Sequence, residues 1–272
     1  MEPTLRTRLR HVASAQNALV KELRRAFSRG EPTADGSCAI EGVRILEEAI
    51  RSGLRFRAVF FRESSASLAD RLLPQIGAQV ETIGLPDSVF DNVVDTETPQ
   101  GVAALVKLKS FHLDDALRAP LPLVLVAAGL QNPGNLGTIL RSAEAFGASG
   151  VLVAEKTVNP MLPKTVRASA GSVFRLPIVH VALADVLDRL RDAGLRLVAT
   201  SSHKGTPASE ADLGGKLALF IGNEGAGLPR ETLKQMDEVV VIPHSPKVES
   251  LNAGIAASIL LYEAARQRRA HL

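Results

Sequence analysis

Three separated stretches of the 272-residue sequence carry side chains that could do chemistry together. The first runs from Gly129 through Gln131, Asn132, Pro133, Gly134, Asn135 and Gly137 to Arg141 and Ser142. Asn132 followed by Pro133 fits a helix start, which puts Asn135 in or near the first turn. Arg141 stands one turn beyond Gly137. Helical side chains lean toward the N-terminus, so its guanidinium can lie over the bare glycine and reach the loop. Either an amide and a guanidinium are presented together at a helix N-terminus, which suits an anion or a phosphate, or the asparagines are caps and Arg141 is a plain surface cation.

The second stretch is Gly222, Asn223, Glu224, Gly225, Ala226, Gly227, Leu228 and Pro229. Its glycines let the backbone turn sharply and let a ligand come close to N–H and C=O groups. Glu224 is then either held in place by a tight turn or solvated on a glycine-rich connection. The order of glycines is wrong for a dinucleotide fingerprint, and no Gly-Lys-Ser/Thr phosphate loop occurs anywhere in the chain. The third stretch runs from Ile242 and Pro243 past His244 to Glu249, Ser250, Leu251 and Asn252. Ser250 reads as the N-cap of the last helix, with Asn252 in its first turn. His244 reads as a loop histidine without catalytic duty. The six histidines are scattered and none stands at metal-ligand spacing, so neither a metal site nor a nucleophile–histidine pair is expected.

All three stretches follow short apolar runs that read as strands buried on both faces: 123–127, 150–153, 195–199, 217–221 and 239–242. Helices are expected between them at 135–146, 161–169, 183–192 and 229–236, and a last one over 251–268. Such alternation implies a mainly parallel sheet with helices on both faces, and ligands of such sheets sit beyond the carboxyl ends of the strands. The last helix is apolar almost all round, so the domain core or a second subunit must cover it.

Ahead of this unit lies another α/β pattern. A basic amphipathic helix is expected over 12–27 and a loop over 30–37. Helices near 43–51 and 67–76 then alternate with strands at 57–61 and 79–83, a short helix follows Pro86, and a strand closes the unit at 101–108. The expected division is a basic helical segment over 1–29, an α/β domain over 30–109, a linker over 110–120 and the second domain over 121–272.

Net charge is only +3, but residues 1–30 hold Arg6, Arg8, Arg10, Lys21, Arg24, Arg25 and Arg29 against Glu2 and Glu22. A smaller basic tail follows at Arg266, Arg268 and Arg269. Such clusters attract phosphate backbones through counterion release, or they are solvated helix faces. With 46% hydrophobic and 22% charged residues the composition is globular. The longest apolar stretch, 121–130, is about half of what crosses a bilayer. The Arg-rich start has no apolar core and does not read as a secretory signal. The single cysteine, Cys38, suits a reducing compartment. A cytoplasmic protein is expected.

Taken together, the ordered set Asn-Pro-x-Asn-x-Gly…Arg, Gly-Asn-Glu-Gly-x-Gly-Leu and Ile-Pro…Glu-Ser-Leu-Asn resembles the three motifs of the SpoU family of tRNA/rRNA methyltransferases, in the SPOUT superfamily. The likeness covers about 121–268, and the front domain is similar to the family's ribosomal-protein-like substrate-binding module, with Gln100-Gly101-Val102 at the join. Asn132 stands where the family usually has Asp, and Ala253-Gly254-Ile255 where it often has Val-Ser-Val.

The resemblance implies an α/β fold whose C-terminal segment threads a deep trefoil knot, a homodimer, and S-adenosylmethionine held largely by backbone groups at Gly222, Ile242 and Leu251, with Thr200 a weaker candidate. It implies catalytic positions at Asn135, Arg141, Glu224, Ser250 and Asn252, with Arg141 near the partner's cofactor. The family's proposed role for Arg141 is proton acceptor. A guanidinium, with a pKa above about 12, is better suited to binding the phosphate beside the target and orienting the hydroxyl, with Glu224 holding either Arg141 or the target nucleotide. The implied reaction is methyl transfer to a ribose 2′-OH of RNA, ribosomal RNA before tRNA. The competing readings are a non-catalytic RNA-binding or assembly protein of the same fold, separated by cofactor binding, and a nucleotide-dependent α/β enzyme, which the absent fingerprints disfavour.

Overall fold

The computed structural model describes residues 8–94, 96 and 98–269. The chain divides into two compact units. Residues up to Lys109 together with Met161–Arg175 form the first, and Ser110–Pro160 with Leu176 onward form the second.

The first unit contains β1 (Leu9–His11), α1 (Ala18–Arg29), β2 (Ser37–Glu41), α2 (Val43–Arg51), β3 (Arg55–Arg62), α3 (Ala66–Leu72), β4 (Glu81–Leu85), α4 (Asp87–Asp91) and β5 (Val102–Lys107). Its sheet has the order β1-β4-β3-β5-β2, with β5 antiparallel to both neighbours. The helix expected over 12–27 begins only at Ala18, because Asn17 caps it: the Asn17 side chain accepts the Leu19 N–H. Residues 9–11 instead pair in parallel with β4. Val20, Leu23, Ala26 and Phe27 of α1 are buried against Phe60 and Leu105. The described part of 1–29 is therefore built into this unit and is no separate arm; Arg6 lies outside the described residues. Arg8 donates to the carbonyls of Leu73, Ile76 and Gly77, and Arg10 pairs with Glu81, so neither cation is free. β2 begins at Ser37, the last residue of the expected loop, and is buried at every position. Burial pushes the Cys38 thiol up to about 11, which leaves it protonated and unreactive at neutral pH.

The second unit contains α5 (Leu113–Leu117), β6 (Leu123–Ala127), α6 (Pro133–Ala145) and β7 (Gly150–Ala154). The chain then contributes α7 (Pro163–Ala168) to the first unit, where Arg175 pairs with Glu48 at 2.8 Å. Residues 161–169, expected as a helix of the second unit, thus belong to the first. Back in the second unit follow β8 (Ile178–Val181), α8 (Leu183–Asp192), β9 (Arg196–Ser201), β10 (Thr206–Pro207), β11 (Leu217–Ile221), α9 (Arg230–Leu233), β12 (Glu238–Val241) and α10 (Ala253–Arg269). β8 and β10 were not expected. The sheet runs β10-β12-β9-β11-β6-β7-β8, and every pair is parallel.

Val124, Val126, Ala218 and Phe220 pack on one face with Val186, Leu187 and Leu190 of α8. The alternate residues Leu123, Leu125, Leu219 and Ile221 point to the other face and are buried too. That two-sided burial is why these strands read as unbroken apolar runs.

α10 packs on α6, close enough at Gly254 that an added Cβ would stand 3.1 Å from Thr138 Cβ. Its cap is Asn252, not Ser250: Asn252 Oδ1 accepts the N–H of Gly254 at 2.9 Å and of Ile255 at 3.2 Å. Ala257, Leu260 and Leu261 are buried, whereas Ile255, Ile259 and Tyr262 remain exposed.

The basic tail is mostly engaged as well. Arg266 pairs with Glu263, and the Arg268 guanidinium donates to the carbonyls of Leu121, Pro122 and Gly215. These carbonyls stand at the starts of β6 and β11, so Arg268 fastens the end of the last helix to the sheet. Arg268→Ala is expected to cost about 2 kcal/mol, the scale of hydrogen bonds to a charged group, seen as a lower urea midpoint. Arg266→Ala should leave that midpoint near wild type. An unchanged midpoint for Arg268→Ala would contradict the fastening role.

Candidate active site

β6 and β11 are neighbours, so the loops leaving their carboxyl ends must meet. The β6 loop turns at Gly129, where φ is 74°, and enters α6 through Asn132, whose Oδ1 accepts the N–H of Gly134 at 2.8 Å and of Asn135 at 3.3 Å. The β11 loop is organised by Asn223. Its backbone pairs with Gly227, its Oδ1 accepts from the N–H of Gly225 and Ala226, and its Nδ2 donates to Gly129 O at 2.8 Å. One asparagine thus shapes its own loop and ties it to the other.

Glu224 closes the junction. Its Oε1 accepts Asn135 Nδ2 at 2.9 Å and Asn132 N–H at 3.3 Å, and its Oε2 accepts Gln131 N–H at 3.3 Å. Asn135, which is buried, accepts Asn252 Nδ2 on its Oδ1 at 2.8 Å. Every direction in this chain is determined. An ionised carboxylate only accepts, so Asn135 must donate to it and turn its carbonyl to Asn252; Asn252 then has its own carbonyl left for the start of α10. Burial works to raise the Glu224 carboxyl, and the hydrogen bonds from Asn135, Gln131 and Asn132 together outweigh it, holding it below the ordinary carboxylate range. Glu224, Asn135 and Asn252, one from each motif, form a single bonded row.

Beside this row a cavity of about 250 Å³ opens. Thr200 on β9, Gly222, Ile242 and Leu251 line it together with Glu224, Ser250 and His244. Gly222 has no room for a side chain: an added Cβ would lie 2.4 Å from Gly227 C and 2.5 Å from Leu228 N. The loop backbone itself therefore forms that part of the wall, as a site that grips a ligand through main-chain groups requires. Residues 122–262 match the profile of the SpoU rRNA methylase family.

The chain belongs to this family. Residues 17–104 match the MRM3-like substrate-binding domain. The 23S rRNA (guanosine(2553)-2′-O)-methyltransferase RlmP of Bacillus subtilis is 31% identical over 254 residues, spanning 93% of this chain and 98% of RlmP. The SpoU methyltransferase AviRb from Streptomyces viridochromogenes, solved with AdoMet, superposes with a TM-score of 0.83 at 32% identity, over 93% of this chain and 99% of its own. The AdoMet-bound rRNA methyltransferase from Sinorhizobium meliloti does so at 0.80 and 28%, over 95% and 98%. Like its SpoU relatives, the chain is an S-adenosylmethionine-dependent RNA 2′-O-ribose methyltransferase. The α/β fold with its parallel sheet and front substrate-binding domain is the one expected.

At two points the structure bears on alternatives that the sequence leaves open. The N-terminus of α6 is no open phosphate site, because Glu224 and Asn132 already take its N–H groups. Arg141 is exposed, and among the described residues it makes no hydrogen bond or ion pair, so Glu224 does not hold it within the chain. The Glu224 carboxylate is instead turned to Asn135 and to the backbone N–H groups of Asn132 and Gln131. Ser250 is exposed at the cavity and makes no hydrogen bond among the described residues. Gln131 and Asn223, given no role in the sequence, tie the loops together, and His244, read as a loop histidine, lines the cavity. His244 Nδ1–H donates to Ile242 O at 2.7 Å, which fixes the ring at the cavity. Its place in the third motif, two residues after Ile242, was the available signal. Among the described residues no three of His, Cys, Asp and Glu form a metal-binding group, and no helix is long and apolar enough to cross a membrane.

Proposed function

We propose that the methyl acceptor is a ribose 2′-OH of ribosomal RNA, and that the enzyme works in the cytoplasm as a homodimer whose C-terminal segment is threaded as a deep trefoil knot. The observation that carries this reading is the Glu224–Asn135–Asn252 row lying beside the cavity lined by Thr200, Gly222, Ile242 and Leu251. When bound, S-adenosylmethionine supplies a methyl group already activated on a sulfonium. Gly222, Ile242 and Leu251 would hold it through backbone groups, with Thr200 at the edge, and the bare backbone at Gly222 fits that role. The chain's own work is then to place the ribose and guide its proton. Ser250, exposed at the cavity, is free to hydrogen-bond the incoming hydroxyl, and Asn252 and Asn135 hold the row that positions it. Arg141, exposed and unpaired, binds an RNA phosphate and orients the ribose rather than acting as a base.

RlmP acts on 23S rRNA, which favours ribosomal RNA over the tRNA alternative. The exposed Ile255, Ile259 and Tyr262 on α10 support a subunit interface, since apolar residues at helical spacing call for cover. The deciding experiment is a map of 2′-O-methyl groups in cells lacking the gene. Loss at one ribosomal RNA nucleotide, restored by the wild-type gene, is expected. Loss confined to tRNA would transfer the assignment to tRNA, and no loss in either would overturn it.

The front unit is assigned to RNA docking through the outer face of α1. Lys21, Arg24 and Arg25 are exposed there and have no acidic partner among the described residues. Replacing all three with alanine leaves the buried face of α1 untouched. It should weaken RNA binding and lower the slope of log affinity against log salt by about 2 to 3, roughly 0.7 to 0.9 for each of the three lost cations, with cofactor affinity unchanged. A filter-binding salt series with the wild-type slope would remove α1 from the RNA track.

A further inference from the structure

Lys156 adopts a φ of 61°; the other non-glycine residue with positive φ among the described residues is Ala170. This is an unfavourable backbone region for a residue with a side chain, and glycine would take it freely. The turn alone therefore gives no reason for a lysine. Its position does. Lys156 follows β7 at the carboxyl edge of the sheet, and its segment is bound to the motif loop after β6. Gln131 Nε2 donates to Lys156 O, Gly129 N–H to Thr157 Oγ1 at 2.9 Å, Thr157 Oγ1 to Ala127 O at 3.1 Å and Val158 N–H to Leu130 O at 2.8 Å. The same Gln131 donates its backbone N–H to Glu224. The strained turn is thus coupled by one residue to the carboxylate at the centre of the site.

The charge is also left free. Lys156 is exposed and has no acidic partner among the described residues. The adjacent Glu155 is occupied elsewhere, both its oxygens accepting the Leu183 N–H at the start of α8, at 3.1 and 3.0 Å. A target ribose within an RNA strand is flanked by a phosphate on each side, and one exposed guanidinium, Arg141, can take only one of them. We propose that Lys156 binds the other flanking phosphate and is a positioning residue for the RNA strand; the inference rests on the methyltransferase reading above. The turn anchors the backbone of Lys156 against the loop after β6, whose Gln131 donates to Glu224, so strand and carboxylate are registered to each other.

The test is Lys156→Gly, which suits the backbone and removes the cation, with Lys156→Arg as the conservative rescue. Both are assayed on unmethylated 23S and 16S ribosomal RNA transcripts. For Lys156→Gly we expect KM for RNA to rise roughly tenfold, kcat to stay within about twofold, and the salt slope of RNA binding to fall by about 1. Cofactor affinity and melting temperature should hold, and Lys156→Arg should restore KM. Wild-type KM and slope in Lys156→Gly would overturn the inference, as would a loss confined to kcat or cofactor affinity. Wild-type enzyme that methylates neither transcript would overturn the ribosomal RNA reading and this inference together; an active wild type matched by Lys156→Gly would overturn this inference alone.

Discussion

Gly222→Ala is expected to weaken S-adenosylmethionine binding by more than about a hundredfold and to abolish methyl transfer. The case is steric. The added Cβ would stand 2.4 Å from Gly227 C, 2.5 Å from Leu228 N and 2.7 Å from Gly227 O, and all three are backbone atoms that cannot swing aside. Relief requires the loop to open, which breaks the Asn223–Gly227 pair and pulls Asn223 from Gly129 O. Both cavity wall and motif junction go with it, and a misplacement of about 1 Å at a reacting centre already costs around a hundredfold. Gly225→Ala is the control. Its Cβ would meet only Asn223 Oδ1, at 3.8 Å, so it should bind nearly as wild type. Equilibrium dialysis against labelled cofactor compares the two. Binding by Gly222→Ala within about fivefold of wild type would show that backbone at this position does not shape the site.

Glu224→Gln should lower kcat by about a hundredfold although the change in shape is small. Three N–H donors converge on this carboxylate, from Asn135, Asn132 and Gln131. A glutamine has one acceptor oxygen and an NH2 group that must then face a donor, so at least one of the three bonds is lost and two donors are left facing each other. The pH profile separates charge from shape. Because Glu224 sits below the ordinary carboxylate value, its contribution is complete above that value and is lost as pH falls through the depressed folded one. Wild-type kcat/KM should carry an acid limb that the Glu224→Gln profile lacks. Equal kcat at neutral pH, or identical acid limbs, would separate the carboxylate from the row it closes.

Much of the frame was legible because burial on both faces leaves a plain signature. Strands 123–127 and 217–221 and helix 183–192 have the bounds read from sequence. β8 and β10 escaped because one is half-buried behind Pro177 and the other has two residues, too short for a period of two to declare itself. In the first unit Val12 matched a helical stripe, yet Asn17 ends the helix before reaching it. Ser250 and Asn252 are both good caps, and only the contact with Asn135 selects Asn252. The site was legible as three motifs but not as a network. Spacing allowed Arg141 to reach the loop; it could not reveal that Glu224 would face Asn135 and two backbone groups instead.

Methyl transfer by this chain requires the three loops to make one cofactor pocket. Calorimetric titration of the purified full-length chain with S-adenosylmethionine tests that directly. Saturable uptake of one cofactor per chain, absent in Gly222→Ala and kept in Lys156→Gly, is the predicted result. A folded wild-type protein that takes up none would contradict it.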